Sequence, residues 1–186
     1  MTQGENPSDD LKDGLSDNRS DNRRDSRFLH LLRAGTGLLR QGQAEDALPY
    51  LKEAYSLDPE HLDAALNLSG AYILQNQFRK AVHILERLSE EEPNNPMVWT
   101  NLGAAYLGNR ALAVSKHQMQ AIEAFKQALA LNPAAPNVAY NIGLIYKDRE
   151  ESEKALHWFR KAVQTNPRDE DARMLIGQFE AGDEEE

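Results

Sequence analysis

The stretch Trp99-Thr100-Asn101-Leu102-Gly103-Ala104-Ala105-Tyr106, followed downstream by Ala121, Phe125, Ala128 and Pro133, contains the building unit of the whole chain. Leu102, Gly103 and Tyr106 are spaced as one face of an α-helix. Ala121, Phe125 and Ala128 form one face of a second, because side chains three, four and seven apart line up along a helix. A small residue one turn before a bulky one lets two helix backbones approach closely while the ring fills the space beside them. Asn132-Pro133 stops the second helix and positions whatever follows.

The unit recurs. Pro59, Pro93, Pro133 and Pro167 are separated by 34, 40 and 34 residues. Five residues before each stand Ala54, Leu88, Ala128 and Ala162; eight before, Leu51, Leu85, Phe125 and Phe159; twelve before, Ala47, Ala81, Ala121 and Ala155. The first-helix signal returns as Ala34-Gly35 with Leu38, Leu68-Ser69 with Tyr72, and Ile142-Gly143 with Tyr146. Between helices, Gln41-Gly42-Gln43 and Gln75-Asn76-Gln77 supply a residue that tolerates left-handed backbone, as a tight helix-to-helix turn requires. The spacing predicts an all-α chain of antiparallel helix pairs, none able to bury its apolar face without a neighbour.

The third copy has all eight positions of the tetratricopeptide-repeat signature, and the chain resembles that family. The fourth copy keeps six, with Ala139 and Ile142 in place of Trp and Leu, and the first and second keep four each. The resemblance covers residues 28–169, with repeats at 28–61, 62–95, 96–135 and 136–169. The segment 170–179 repeats only Ile176-Gly177 and is expected to cap the stack. The resemblance implies a right-handed superhelical solenoid of four antiparallel helix pairs plus a C-terminal capping helix. First helices would line a concave surface and second helices the outer wall.

Composition removes several kinds of chemistry. The 186 residues include no cysteine, which excludes disulfide scaffolds, thiolate metal sites and cysteine nucleophiles. The five histidines, His30, His61, His83, His117 and His157, have no partner at metal-ligand spacing, and no glycine-rich phosphate loop is present. An open array also offers none of the enclosed pockets that most enzymes build. No catalytic site, metal or cofactor is expected. The net charge of -9 is concentrated at the end: -2 falls on residues 1–27, -5 on 180–186, and -2 on everything between. Without a basic stripe, neither nucleic acid nor an anionic membrane is an expected partner. With no apolar run long enough to span a bilayer and no secretory signal, a cytoplasmic location is expected.

Residues 1–27 are rich in Ser, Asp, Asn and Arg and carry Leu11 and Leu15 almost alone as apolar anchors, so they are expected to form a disordered polar tail. Residues 180–186 are expected to be a disordered acidic tail. Pro49, two places after Ala47, implies either a late start to the second helix of the first repeat or a kink in it. The third repeat separates Tyr106 from Ala121 by 15 residues where the others show nine, an insertion assigned to 108–114. Ser115-x-x-Gln118 reads as a capping box behind it. Leu112 and Val114 in that insertion are either a partner or self-association contact, or packed back on their own repeat.

The family's geometry implies which first-helix side chains face the groove. Among them are Leu66, Ile73, Met97, Leu107, Tyr140 and Leu144, apolar contacts beside an asparagine ladder of Asn67, Asn101 and Asn141. An amide offers a donor and an acceptor together and suits the backbone of an extended peptide; the alternative is a bond to a neighbouring helix. The Lys, Asn and Arg clamp by which some family members grip a chaperone's terminal carboxylate is missing, since Leu32 and Thr36 stand at its places. The expected function is a non-catalytic protein-interaction adaptor or scaffold that holds a peptide in the groove. The alternatives are a structural subunit that self-associates, including as a weak homo-oligomer, and a regulatory subunit of an enzyme complex.

Overall fold

The computed structural model describes the backbone of residues 10–108 and 113–183, and side chains of 22–108 and 113–181. Among the described residues the chain is all helical: α1 (Asp10–Arg40), α2 (Ala44–Leu57), α3 (Leu62–Leu74), α4 (Phe78–Glu91), α5 (Pro96–Leu107), α6 (Ser115–Leu131), α7 (Val138–Asp148), α8 (Ser152–Thr165) and α9 (Glu170–Asp183). The order matches four helix pairs and a closing helix. The chain forms two compact units, Met1–Ala71 and Tyr72–Glu186.

In the first unit α1 and α2 run antiparallel. Phe28, Leu31, Ala54 and Ala64 form its core, with Leu32 and Leu57 against it. Gly35 fits under Leu51, so that a Cβ there would lie 2.6 Å from Leu51 Cγ. Pro49 lies inside α2, which begins at Ala44, so the helix does not start late. The ring removes the bond that this backbone nitrogen would have made to Glu45.

In the second unit the same device occurs twice. A Cβ on Gly103 would lie 2.5 Å from Phe125 Cδ1, and one on Gly143 would lie 2.6 Å from Phe159 Cε1. Both rings are almost wholly buried. Phe125 and Phe159 share one core with Val138, Ile142, Ile145 and, from α9, Ala172 and Leu175. Gly177 of α9, at the place of Gly103 and Gly143, has nothing within 4 Å of its Cβ direction.

The turns follow from the sequence punctuation. Gly42, Asn76 and Glu150, each 17 residues before its repeat's proline, have φ of 77°, 55° and 59°. Each closes a two-bond C-cap. The nitrogens of Gln43, Gln77 and Glu151 bond Leu38, Tyr72 and Tyr146 carbonyls at 2.9, 2.8 and 2.9 Å. At the other turns, Asp58, Asn132 and Asn166 fold their side chains onto the backbone nitrogens of Glu60, Ala134 and Arg168. This is an Asx turn, which sets the path past the following proline.

Three expectations are corrected. The helix begins at Asp10, inside the segment read as a disordered tail. Arg24 donates to the Leu57 carbonyl at 2.7 Å, and Arg27 pairs with Glu53. These ties anchor the end nearer the core, and extending a formed helix needs only one new bond per residue, which a composition argument undervalues. Residues 1–9 lie outside the described residues. At the other end α9 runs to Asp183, past the expected boundary at 179, and 184–186 lie outside. Third, Ser115 does not cap α6: Val114 is the N-cap residue, with no side-chain cap bond. Ser115 Oγ instead accepts from Arg149 at 2.8 Å, and Gln118, buried, accepts from the same guanidinium nitrogen at 3.4 Å.

Gly103→Ala should destabilise the chain. Overpacking a buried aromatic costs about 1–3 kcal/mol, here toward the upper end, against a helix-propensity gain of about 1 kcal/mol. In a Phe125→Leu background the same change should be nearly neutral. Urea unfolding of the four chains of this double-mutant cycle measures the difference, and an unchanged cost in the Leu background would disprove the ring contact as its source.

Candidate functional site

The second unit holds two open clefts on different helix faces. The first lies where α7 meets the start of α9. Pro136 and the left-handed Asn137 (φ 61°) delay the start of α7 to Val138, and the Asn137 carbonyl accepts from the Asn141 nitrogen at 2.9 Å. Asparagine tolerates this backbone because its short polar side chain bonds locally. Asp169 Oδ1 accepts from the Ala172 nitrogen at 2.9 Å and opens α9. Between these helix starts is a cleft of about 560 Å³ lined by Asn137, Tyr140, Asn141, Asn166, Arg168 and the acidic turn Asp169 to Asp171. A recess of about 300 Å³ continues from it toward Ala134 and Thr165. The Tyr140 ring rests on Phe159 at 5.7 Å between centroids.

Chemically, the cleft combines three amides, an aromatic face, one guanidinium and three carboxylates. Asn166 Oδ1 and Asp169 Oδ1 are already engaged by backbone nitrogens. The set is suited to binding polar backbone beside an apolar side chain.

Tyr140 and Asn141 both line this cleft. Leu144, half-buried, packs on the core beside them. Asn101 is half-buried on α5, Met97 is 61% exposed at its start, and Ile73 is half-buried near the end of α3. Leu107 lines the other cleft. In the first unit, Leu66 is buried and presents little to a partner, and Asn67 donates to the Asp63 carbonyl of its own helix at 2.8 Å. That bond is to neither a peptide nor a neighbouring helix. Val114 is 57% exposed, and Leu112 lies outside the described residues. Sequence reasoning missed Asn166, Arg168 and Asp169, because Asn166-Pro167-Arg168 looks like a helix stop and nothing more.

The second cleft, about 520 Å³, lies between α4, the end of α5 and the start of α6. Phe78, Val82 and Leu107 are among its apolar walls, Arg79 and Lys116 its cations, and His117 lies beside them. Tyr106 donates its hydroxyl to Glu86 Oε1 at 2.7 Å across it. Burial, then the Glu86 bond and charge, push the Tyr106 phenol up to about 12. Among the described residues no three His, Cys, Asp or Glu side chains are placed to hold a metal, and no helix is long and apolar enough to cross a membrane.

Family models described as tetratricopeptide repeat match residues 38–105 and 119–181. The chain belongs to the tetratricopeptide-repeat family. The gap between the two matches contains the insertion of the third repeat. A thermophilic tetratricopeptide-repeat protein of Thermus thermophilus, TTC0263, superimposes with a TM-score of 0.69 over 83% of this chain and 82% of that one, at 20% identity. This likeness shows the all-α helical solenoid fold. Among curated relatives, a peroxisomal targeting signal receptor of Kluyveromyces lactis is 29% identical over 109 residues, 55% of this chain and 18% of its own length. A DnaJ homolog subfamily C member 3 homolog of Dictyostelium discoideum is 29% identical over 147 residues, 73% of this chain and 29% of its own. The tetratricopeptide-repeat chain thus spans less than a third of either relative.

The Tyr106 bond has a pH signature. With the folded phenol raised above the ordinary 10, its share of stability is complete below about pH 10 and is lost as pH rises toward about 12. Ultraviolet difference titration should show a late-ionising tyrosine step that Tyr106→Phe removes. A late step that survives Tyr106→Phe would assign it to another residue.

Proposed function

We propose that the chain is a non-catalytic adaptor that holds a peptide segment of another protein against the α7 and α9 cleft. The observation that supports this reading best is the gathering of Asn137, Asn141 and Asn166 around the Tyr140 ring in one open cleft. An extended strand needs donor and acceptor from each contact, and an aromatic face to anchor one side chain. Asn101, at the matching place of α5, serves the same segment one repeat earlier. The lack of nucleic-acid or membrane partners belongs to the same proposal and rests on the charge distribution; location in the cytoplasm belongs to it too and rests on the sequence pattern read above.

Affinity capture with the wild-type chain and with Asn101→Ala/Asn141→Ala and Tyr140→Ala variants tests the reading. Each variant should lose at least one partner that the wild type retains, with helical circular dichroism unchanged. Equal capture by all three chains would reject the cleft as the binding site.

The exposure of Val114 in the insertion favours a second reading, in which the inserted edge, with Leu112, mediates association between copies. Leu112→Asp and Val114→Asp should then leave the unfolding midpoint unchanged and remove any concentration dependence in sedimentation. A large fall in stability would instead place these side chains in packing.

A further inference from the structure

Second helices α2, α4 and α8 each begin three residues before the repeating alanine twelve places ahead of the proline, Ala47, Ala81 and Ala155. Helix α6 begins at Ser115, six before Ala121, so the insertion has been used partly to lengthen it. The added residues are Ser115, Lys116 and His117. Lys116 and His117 line the cleft with α4, where Lys116 and Arg79 are the full cations. The lengthened start of α6 therefore places Lys116 and His117 on one wall of this cleft.

That wall faces an apolar one. Phe78 and Val82 on α4 and Leu107 on α5 are half-buried, with surface left to cover, and the Phe78 ring lies 3.2 Å from where a Gly108 Cβ would sit. The cleft's one carboxylate, Glu86, is engaged by the Tyr106 hydroxyl at its far side. In a chain of net charge -9, this is a local surplus of positive charge beside apolar surface. We infer that the cleft between α4, α5 and α6 is a second docking site, for an acidic peptide segment of a partner protein that presents one large apolar side chain between carboxylates. The apolar side chain packs on Phe78, Val82 and Leu107 while the flanking carboxylates meet Arg79, Lys116 and His117. Size agrees, since about 520 Å³ is within the range of pockets that hold drug-sized ligands. The site uses none of the residues of the α7 and α9 cleft, so the two occupy independent surfaces.

The test uses the full chain and short fluorescent peptides read by anisotropy: a central Phe flanked by Glu, the same Phe flanked by Gln, and Ala flanked by Glu. The Phe and Glu peptide should bind, each altered peptide should bind roughly tenfold more weakly or worse, and affinity should fall as salt screens the charges. Arg79→Glu/Lys116→Glu should weaken binding by more than about tenfold. Arg79→Gln/Lys116→Gln repeats the measurement should charge reversal disturb folding by circular dichroism. Asn141→Ala/Tyr140→Ala should leave binding unchanged. Absence of binding, equal binding of the Gln-flanked peptide, indifference to the Arg79 and Lys116 changes, or loss in the Asn141 and Tyr140 variant would each overturn the inference. A wild-type dimer in sedimentation that the charge-reversal variant dissolves would overturn it in favour of a second copy.

Discussion

An aromatic ring or leucine pressed against a bare glycine Cα is the contact on which the architecture depends. It sets the separation of α1 from α2 through Leu51 on Gly35, of α5 from α6 through Phe125 on Gly103, and of α7 from α8 through Phe159 on Gly143. A backbone approach this close leaves no space for a methyl group, so helix spacing is fixed by chemistry rather than adjusted by side-chain choice. The second repeat places Ser69 at this position, wholly buried, and its hydroxyl is satisfied by the Leu66 carbonyl at 2.8 Å. One polar atom is tolerated there because it bonds within its own helix.

The same contact carries the candidate site. Phe159 touches three things at once: the Gly143 backbone beneath it, the Tyr140 ring at 5.7 Å, and the Phe179 ring of α9 at 6.2 Å. One buried ring therefore sets the height of the aromatic floor of the cleft and the position of the helix that forms its far side. Arg160 and Glu180, bonded at 2.8 Å, add an exposed tie between α8 and α9, but an exposed ion pair contributes at most about 1 kcal/mol beside a buried Phe that contributes about 1.5–3.

The sequence carried the helix pairs clearly because Gly, Phe, Ala and Pro at fixed intervals each encode a local geometric requirement. The left-handed turn residues Gly42 and Asn76 were legible for the same reason, whereas Glu150, in that conformation without the chemistry that favours it, was not. Long-range partners were the recurrent blind spot. Arg24 and Arg27 sit in a segment whose composition argues against order, and only Leu57 and Glu53, about thirty residues away, make their helix worthwhile. Of the cleft, Tyr140 and Asn141 were readable from helix phase; Asn166 and Arg168 were hidden in a motif whose local job is to end a helix.

Arg149 explains how the third repeat tolerates its insertion. Helix α5 ends early, with a left-handed Gly108 (φ 55°) two residues after Tyr106, where other repeats reach their left-handed residue four after the equivalent position. The extra turn at the start of α6 has no side-chain cap on its nitrogens and is held through its side-chain oxygens instead. Arg149, from the turn between α7 and α8, reaches Ser115 and Gln118 on that turn, and Glu151 fixes its guanidinium at 2.6 Å. Lys154 and then Arg149 hold the Glu151 carboxyl below the usual carboxylate range, so it stays charged and keeps this grip. The first turn of α6 is thus tied to the following helix pair, and Lys116 and His117 on that turn line the wall of the second cleft.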